Sequence, residues 1–279
     1  MQIRVMEPQD IDAAVAVSAA AFGVDLTDPQ AEQRWRSRIA FPLELDPEGM
    51  LVAERDGRII GVAQALRRER LWCLSLLTVD PAVQSAGAGR ALFDRALGYD
   101  AGTDAGLIVS SNDPRAMRLY GTSGFRLLPT LQTDGAADRT RLQRTDGAVR
   151  EAGAAELEAL AAISREVRGA PHTAELEFAL RDGGRLLRHG DRGFVVVNEL
   201  WGVWLLVARD DESAATLLWA AIGEVSESER PLVTWLTAEQ QWAVDVLLAA
   251  GLRLSAYGAV CVRGDPGPLR PFIPSGPFA

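Results

Sequence analysis

The chain has 279 residues, 48% hydrophobic and 24% charged, with a formal net charge of −9. That is enough apolar material for one large or two ordinary cores, and too little clustered cation to neutralise a phosphate backbone, which excludes nucleic acid as a partner. The apolar run WGVWLLVA (201–208) falls far short of the ~20 residues a spanning helix needs, so no membrane segment is expected.

In chain order, apolar periodicity and cap residues predict a strand at 3–6 and helices at 10–22 and 29–39. LVAERDGRIIGVAQAL (51–66) reads as a hairpin, because Asp56-Gly57 is a strong two-residue turn signal. The unbroken apolar run LWCLSLLTV (71–79) predicts a buried strand, followed by the glycine-punctuated VDPAVQSAGAGRAL (79–92) and a helix over 87–98. The strand GLIVSS (106–111), a helix from Asp113-Pro114 and the strand FRLLP (125–129) complete the first half. Strands and helices alternating in this way predict an α/β (α+β) fold, a mixed central sheet flanked by helices with a crevice at strand ends.

The pattern then repeats. When 3–23 is set over 149–169, Arg4, Ala13, Ser18 and Gly23 fall on Arg150, Ala159, Ser164 and Gly169. IVSSNDPRAMRLYGTSGFRL (108–127) similarly lies over TWLTAEQQWAVDVLLAAGLRL (234–254), each a strand, polar turn, helix, glycine and strand. Two tandem copies are expected, at 1–145 and 146–264, with a proline-rich tail at 265–279.

The only cysteines, Cys73 and Cys261, stand in strand-like apolar runs, and His172 and His189 have no cysteines beside them. Neither a disulfide nor a metal site is expected. Charge and a proline in MQIRVMEPQD, where a signal peptide would carry its apolar region, give a cytoplasmic expectation.

Gly87 and Gly89 free the backbone amides that open a helix, a cradle suited to an anion. A Walker loop is excluded because the chain contains no lysine, and a dinucleotide fingerprint would need glycine where Leu92 stands. The fuller spacing, Val79-x-Pro81-x-x-Gln84-x-x-Gly87-x-Gly89-x-x-Leu92, resembles motif A of the GNAT superfamily of acyl-CoA-dependent N-acetyltransferases. Asn112-x-x-x-Ala116-x-x-x-Tyr120-x-x-x-Gly124-Phe125 resembles its motif B.

The resemblance implies that backbone groups of Leu77, Thr78 and Val79 meet the pantetheine arm of acetyl-CoA. It implies that Gln84, Ser85, Ala86, Gly87, Ala88, Gly89 and Arg90 hold the pyrophosphate, with Asn112 beside the pantetheine. Tyr120 would protonate the departing thiolate. Read from their positions alone, Asn112 could equally cap a helix and Tyr120 serve as a core aromatic. The glutamate many GNAT enzymes place before motif A is replaced by Cys73, leaving Ser75, Glu69, Glu54 or water as bases.

The tail GDPGPLRPFIPSGPFA (264–279) resembles the ends of GNAT proteins of the enhanced-intracellular-survival type, which makes the Ala279 carboxylate a second catalytic candidate. Its alternative is a tail packed on the surface, and deletion of its last residues is expected to reduce turnover more than stability. In the second copy Asp210, Asp211 and Glu212 occupy the helix start, while Glu239 and Leu247 replace Asn112 and Tyr120, so cofactor binding is expected to be lost there.

The expected activity is direct acetyl transfer from acetyl-CoA to a primary amine of a small molecule, without a metal, and the negative net charge favours a cationic acceptor. The rival is a non-catalytic acyl-CoA-binding or sensor protein. Monomer and homodimer both remain open. The 24–29 loop, Trp35 and the 129–138 hairpin are the expected acceptor-lining segments.

Overall fold

The computed structural model describes residues 1–83, 87–145, 147–198, 202–225 and 232–278. It divides into two compact units, Met1–Asp104 and Ala105–Phe278.

In the first unit β1 (Gln2–Val5), β2 (Met50–Arg55), β3 (Arg58–Arg68) and β4 (Leu71–Val79) are antiparallel neighbours in that order. The predicted Asp56-Gly57 turn is present with φ of 52° and 72°. These paired positive values match the right-handed twist of the flanking strands. Between β1 and β2 run α1 (Ile11–Phe22) and α2 (Pro29–Leu45), the latter continuing past the predicted end and through Pro42. After β4 comes α3 (Ala88–Leu97), whose Leu92 and Phe93 are fully buried. A Cβ on Gly61 of β3 would lie 2.9 Å from Leu92, so glycine there permits the close helix-on-strand approach.

The second unit contains β5 (Ala105–Ser110), α4 (Pro114–Thr122), β6 (Arg126–Asp134) and β7 (Val149–Glu151), then α5 (Leu157–Arg168) and α6 (Thr173–Arg181). It continues with β8 (Arg185–His189), β9 (Gly193–Asn198), β10 (Gly202–Ala208), α7 (Asp211–Glu224), α8 (Gln241–Ala249), β11 (Arg253–Arg263) and β12 (Phe272–Ile273). One sheet runs β12-β10-β9-β8-β7, with α7 and α8 contributing Leu217, Leu218, Ala243 and Leu247 to its core.

The sequence places β11 with the second copy, yet it lies between β5 and β6, antiparallel to both. In exchange, β6 of the first copy bonds to the second copy's counterpart of β5: Leu131 and Leu236 exchange backbone hydrogen bonds of 2.9 and 3.0 Å. Periodicity could not predict this swap, because the apolar pattern of a strand does not specify which neighbour it pairs with.

Local detail supports the repeat. Gly23 and Gly169 both end their helices in the left-handed region, at φ 66° and 73°. Ser18 and Ser164 both bond back to the carbonyl four residues earlier, and both receive a ring: Trp35 Nε1 donates to Ser18 Oγ at 2.8 Å, and His172 Nδ1 lies 3.0 Å from Ser164 Oγ. Arg4 pairs with Asp10, and Arg150 with Glu156, the same six-residue offset.

The proline-rich tail is a core element and not a surface strap. β12 pairs with β10, Ile273 is fully buried, and the Phe278 ring lies 5.0 Å from Trp204 and 5.7 Å from Phe178. The buried Arg168 donates to the Phe278 carbonyl at 3.0 Å. This corrects the expectation that trimming the tail spares stability. Phe278→Ala should cost about 3–5 kcal/mol in urea unfolding, as core Phe truncations do. A surface tail would register within about 0.5 kcal/mol.

Candidate active site

The strand β4 carries the pantetheine candidates. Leu77, Thr78 and Val79 pair with Ala63, Val62 and Gly61 of β3, and Thr78 Oγ1 is buried without a hydrogen-bond partner. Such an atom costs about 1–3 kcal/mol unless something accepts or donates to it. Gln84, Ser85 and Ala86 lie outside the described residues.

Gly87, at φ 83°, is the N-cap of α3; it has no side chain to satisfy the first amides, and a Cβ there would meet nothing within 4 Å. Ala88 is buried, a Cβ on Gly89 would make ordinary contact with Val79 at 3.6 Å, and Arg90 reaches Asp94 at 3.5 Å. Among the described residues no side chain caps the start of α3, whose dipole favours an anion. The orphaned Thr78 hydroxyl and this open cradle both fit a pantetheine-pyrophosphate ligand.

The corresponding helix of the second copy, α7, supplies its own anion. Asp210 caps it, accepting from the Ser213 amide at 2.8 Å, and is paired with Arg192 at 2.6 Å; Asp211 is paired with Arg270 at 2.7 Å.

On α4, Asp113 is the N-cap, accepting from the Arg115 amide at 2.8 Å. The capping role open to Asn112 falls to its neighbour, and the exposed Asn112 side chain is not used for it. Tyr120 lies in the last turn of α4, 5% exposed. Burial, reinforced by the nearby Cys261 and Asp113, raises its hydroxyl above the usual phenol range, so it is held neutral as a proton donor. Cys261 of β11 is fully buried, and burial pushes its thiol up to about 12, which removes it as a nucleophile at neutral pH.

The base candidates separate. Glu54 is held by Arg4 Nε at 2.8 Å, and Glu69 lies in the β3–β4 turn at φ 50°, at the end of β4 remote from the glycine loop. Cys73 is 1% exposed. Ser75 is the extra residue of a β-bulge: Gln64 pairs with Leu76 and Ala65 with Leu74. Its carbonyl accepts from Arg38 Nη2 at 2.9 Å, a contact for which the sequence gives only the nearby Trp35 as a signal. Ala279 lies outside the described residues.

A second feature missed by sequence reading is Trp235. At φ 57° it donates to the Ser110 carbonyl at 3.0 Å and lies 5.9 Å from Tyr257, where β11 bulges past the end of β5. A Cβ on Gly258 would come within 2.0 Å of that same carbonyl.

Among the described residues no helix is long and apolar enough to cross a membrane, and no group of three or more metal-ligating side chains is assembled.

The profile of the acetyltransferase (GNAT) domain matches residues 11–136, a segment similar to that family. It is 38% identical over 133 residues to mycothiol acetyltransferase of Kineococcus radiotolerans, a match covering 45% of this chain and 42% of that protein. It is 34% identical over 132 residues to mycothiol acetyltransferase of Streptomyces coelicolor, covering 45% and 42%. The chain therefore matches less than half the length of these relatives.

In structure it is similar to an acetyltransferase-assigned protein of Pyrococcus horikoshii, with a TM-score of 0.81 at 19% identity, covering all of this chain and 95% of the other. A tandem GNAT protein of the clavulanic acid pathway superposes with a TM-score of 0.60 at 14% identity, covering 96% of this chain and 99% of that one. These two likenesses show the mixed α/β fold, including its tandem form.

Proposed function

We propose that the chain is an acetyl-CoA-dependent N-acetyltransferase that acetylates a primary amine by direct transfer, with one working copy of a twice-written fold. The observation that carries it is the contrast between α3, opened by a glycine with free space around it, and α7, capped by its own carboxylate. The matched GNAT segment supports the same reading.

In this reading Leu77, Thr78, Val79 and residues 84–90 hold acetyl-CoA, with Asn112 on its pantetheine. The neutral amine attacks the thioester carbonyl, the carbon–nitrogen bond forms and the carbon–sulfur bond breaks. Tyr120 gives its proton to the departing sulfur, and the proton the nitrogen sheds restores the phenol through solvent. Cys73 and Cys261, both buried thiols with no activating histidine, take no part, which favours a ternary complex over an acyl-enzyme. The Ala279 carboxylate is carried as a candidate proton acceptor on resemblance alone.

The test is CoA calorimetry together with thiol release across an amine panel. Saturable CoA binding with turnover supports the transferase. CoA binding without turnover on any amine supports the sensor, and no CoA binding overturns both.

A further inference from the structure

On α2, Arg34, Arg36 and Arg38 differ in their partners. Arg36 is neutralised by Asp12 at 2.6 Å and Glu32 at 3.0 Å. Its neighbours on either side of the turn differ. The half-buried Arg38 stacks over Trp35 at 5.4 Å, donates Nη2 to the Ser75 carbonyl at 2.9 Å and reaches Gln64 Oε1 at 3.4 Å. Gln64 is itself fully buried and fixed by donating to the Ile39 carbonyl at 2.8 Å. Among the described residues no carboxylate is paired with it, and burial pushes the guanidinium's pKa down to about 10. One turn earlier on the same helix, Arg34 Nε is buried with no hydrogen-bond partner.

A guanidinium presents five N–H donors in a rigid fork suited to a carboxylate, and Arg38 commits only two groups, both to neutral oxygens. Residues four apart on a helix stand side by side, so Arg34 and Arg38 are adjacent cations. A desolvated cation lacking an acid partner, in a chain of net charge −9, is unfavourable unless an anion arrives from outside. It sits at the bulge of β4, two residues before the Leu77–Val79 stretch assigned to the pantetheine arm.

We infer that Arg38, assisted by Arg34, is a subsite for the carboxylate of the acceptor, and that the acceptor class is an amine bearing an acid group, such as an amino acid. The inference rests on the transferase reading above. It refines the cationic acceptor suggested by net charge into a zwitterion, whose ammonium suits the chain's net charge of −9 and whose carboxylate suits α2.

The experiment compares amino acids with their decarboxylated amines: ornithine with putrescine, arginine with agmatine, tyrosine with tyramine. The wild type should favour the acid of the productive pair by about 10–100-fold in kcat/KM, the range for a charge-assisted hydrogen bond. Arg38→Gln should bring that ratio toward one by raising KM for the acid. Arg38→Lys should retain part of it, and Arg34→Gln should reduce it less.

A wild type with no preference for the acid overturns the inference. So does Arg38→Gln lowering both members of each pair equally, which marks a purely structural role at the bulge. Weakened CoA binding in Arg38→Gln would assign the anion to CoA and also overturn it. If no amine turns over, the transferase reading fails separately. Calorimetry of the same amino acids, with wild type binding and Arg38→Gln not, then supports the subsite on its own, and no binding by either refutes it.

Discussion

Tyr120→Phe is expected to lower kcat by about 10²–10⁴-fold, the usual contribution of a positioned general acid, with CoA affinity and melting temperature nearly unchanged. The ring stays in the core and only the hydroxyl is lost. Burial, with Cys261 and Asp113 nearby, disfavours the phenolate, so the group remains protonated below the ordinary phenol pKa of about 10 and would lose its donor only above it. The kcat profile of the wild type should accordingly show no basic limb from this residue between about pH 7 and 9.5. A Phe variant with wild-type kcat, or a limb near pH 8 that vanishes in it, would remove Tyr120 from the mechanism.

The second large effect is on cofactor binding. Gly87→Val places a β-branched side chain at φ 83°, where such residues are outliers, and in the open space before the first amides of α3. Losing roughly two charge-assisted contacts, at ~1.5–3 kcal/mol each, should weaken CoA by about 100-fold or more in calorimetry. Because nothing lies within 4 Å of the added Cβ, the melting temperature should fall only by the backbone strain. Asp211→Ala, at the start of α7, should leave CoA affinity unchanged and break only the exposed pair with Arg270. Equal loss in both variants would mean that the two helix starts are equivalent, contrary to the reading of one site.

Most of the fold was legible because its signals are local. Asp56-Gly57, the glycine helix ends and the Arg4/Arg150 correspondence each depend on a few neighbouring residues. The glycine that opens α3 was legible for the same reason. What could not be read depends on residues far apart in sequence. The exchange of β6 and β11 leaves every apolar pattern intact. The anchoring of Phe278 on Trp204 joins a tail that looks extended and solvated to a core strand. Arg38 at the Ser75 bulge is invisible because a bulge arises from register, which a single strand does not encode. Glu54 and Glu69 show what acidity alone leaves open: the sequence offers both as bases, while in the fold Glu54 is paired with Arg4 and Glu69 stands in the β3–β4 turn.

The strand exchange bears on how the chain is made. Thr130 Oγ1 donates to the Tyr257 carbonyl across 127 positions of sequence. At about 5–20 residues per second on a ribosome, roughly ten seconds separate synthesis of β6 from arrival of the strand that must lie beside it. Through that interval β5 and β6 each lack the central neighbour they share, and unpaired strand edges invite pairing with other chains. Cutting the chain at residue 145 would make that transient state permanent. The half that resembles a complete enzyme would then be the aggregating one, because the strand its sheet requires, β11, is supplied by the second copy.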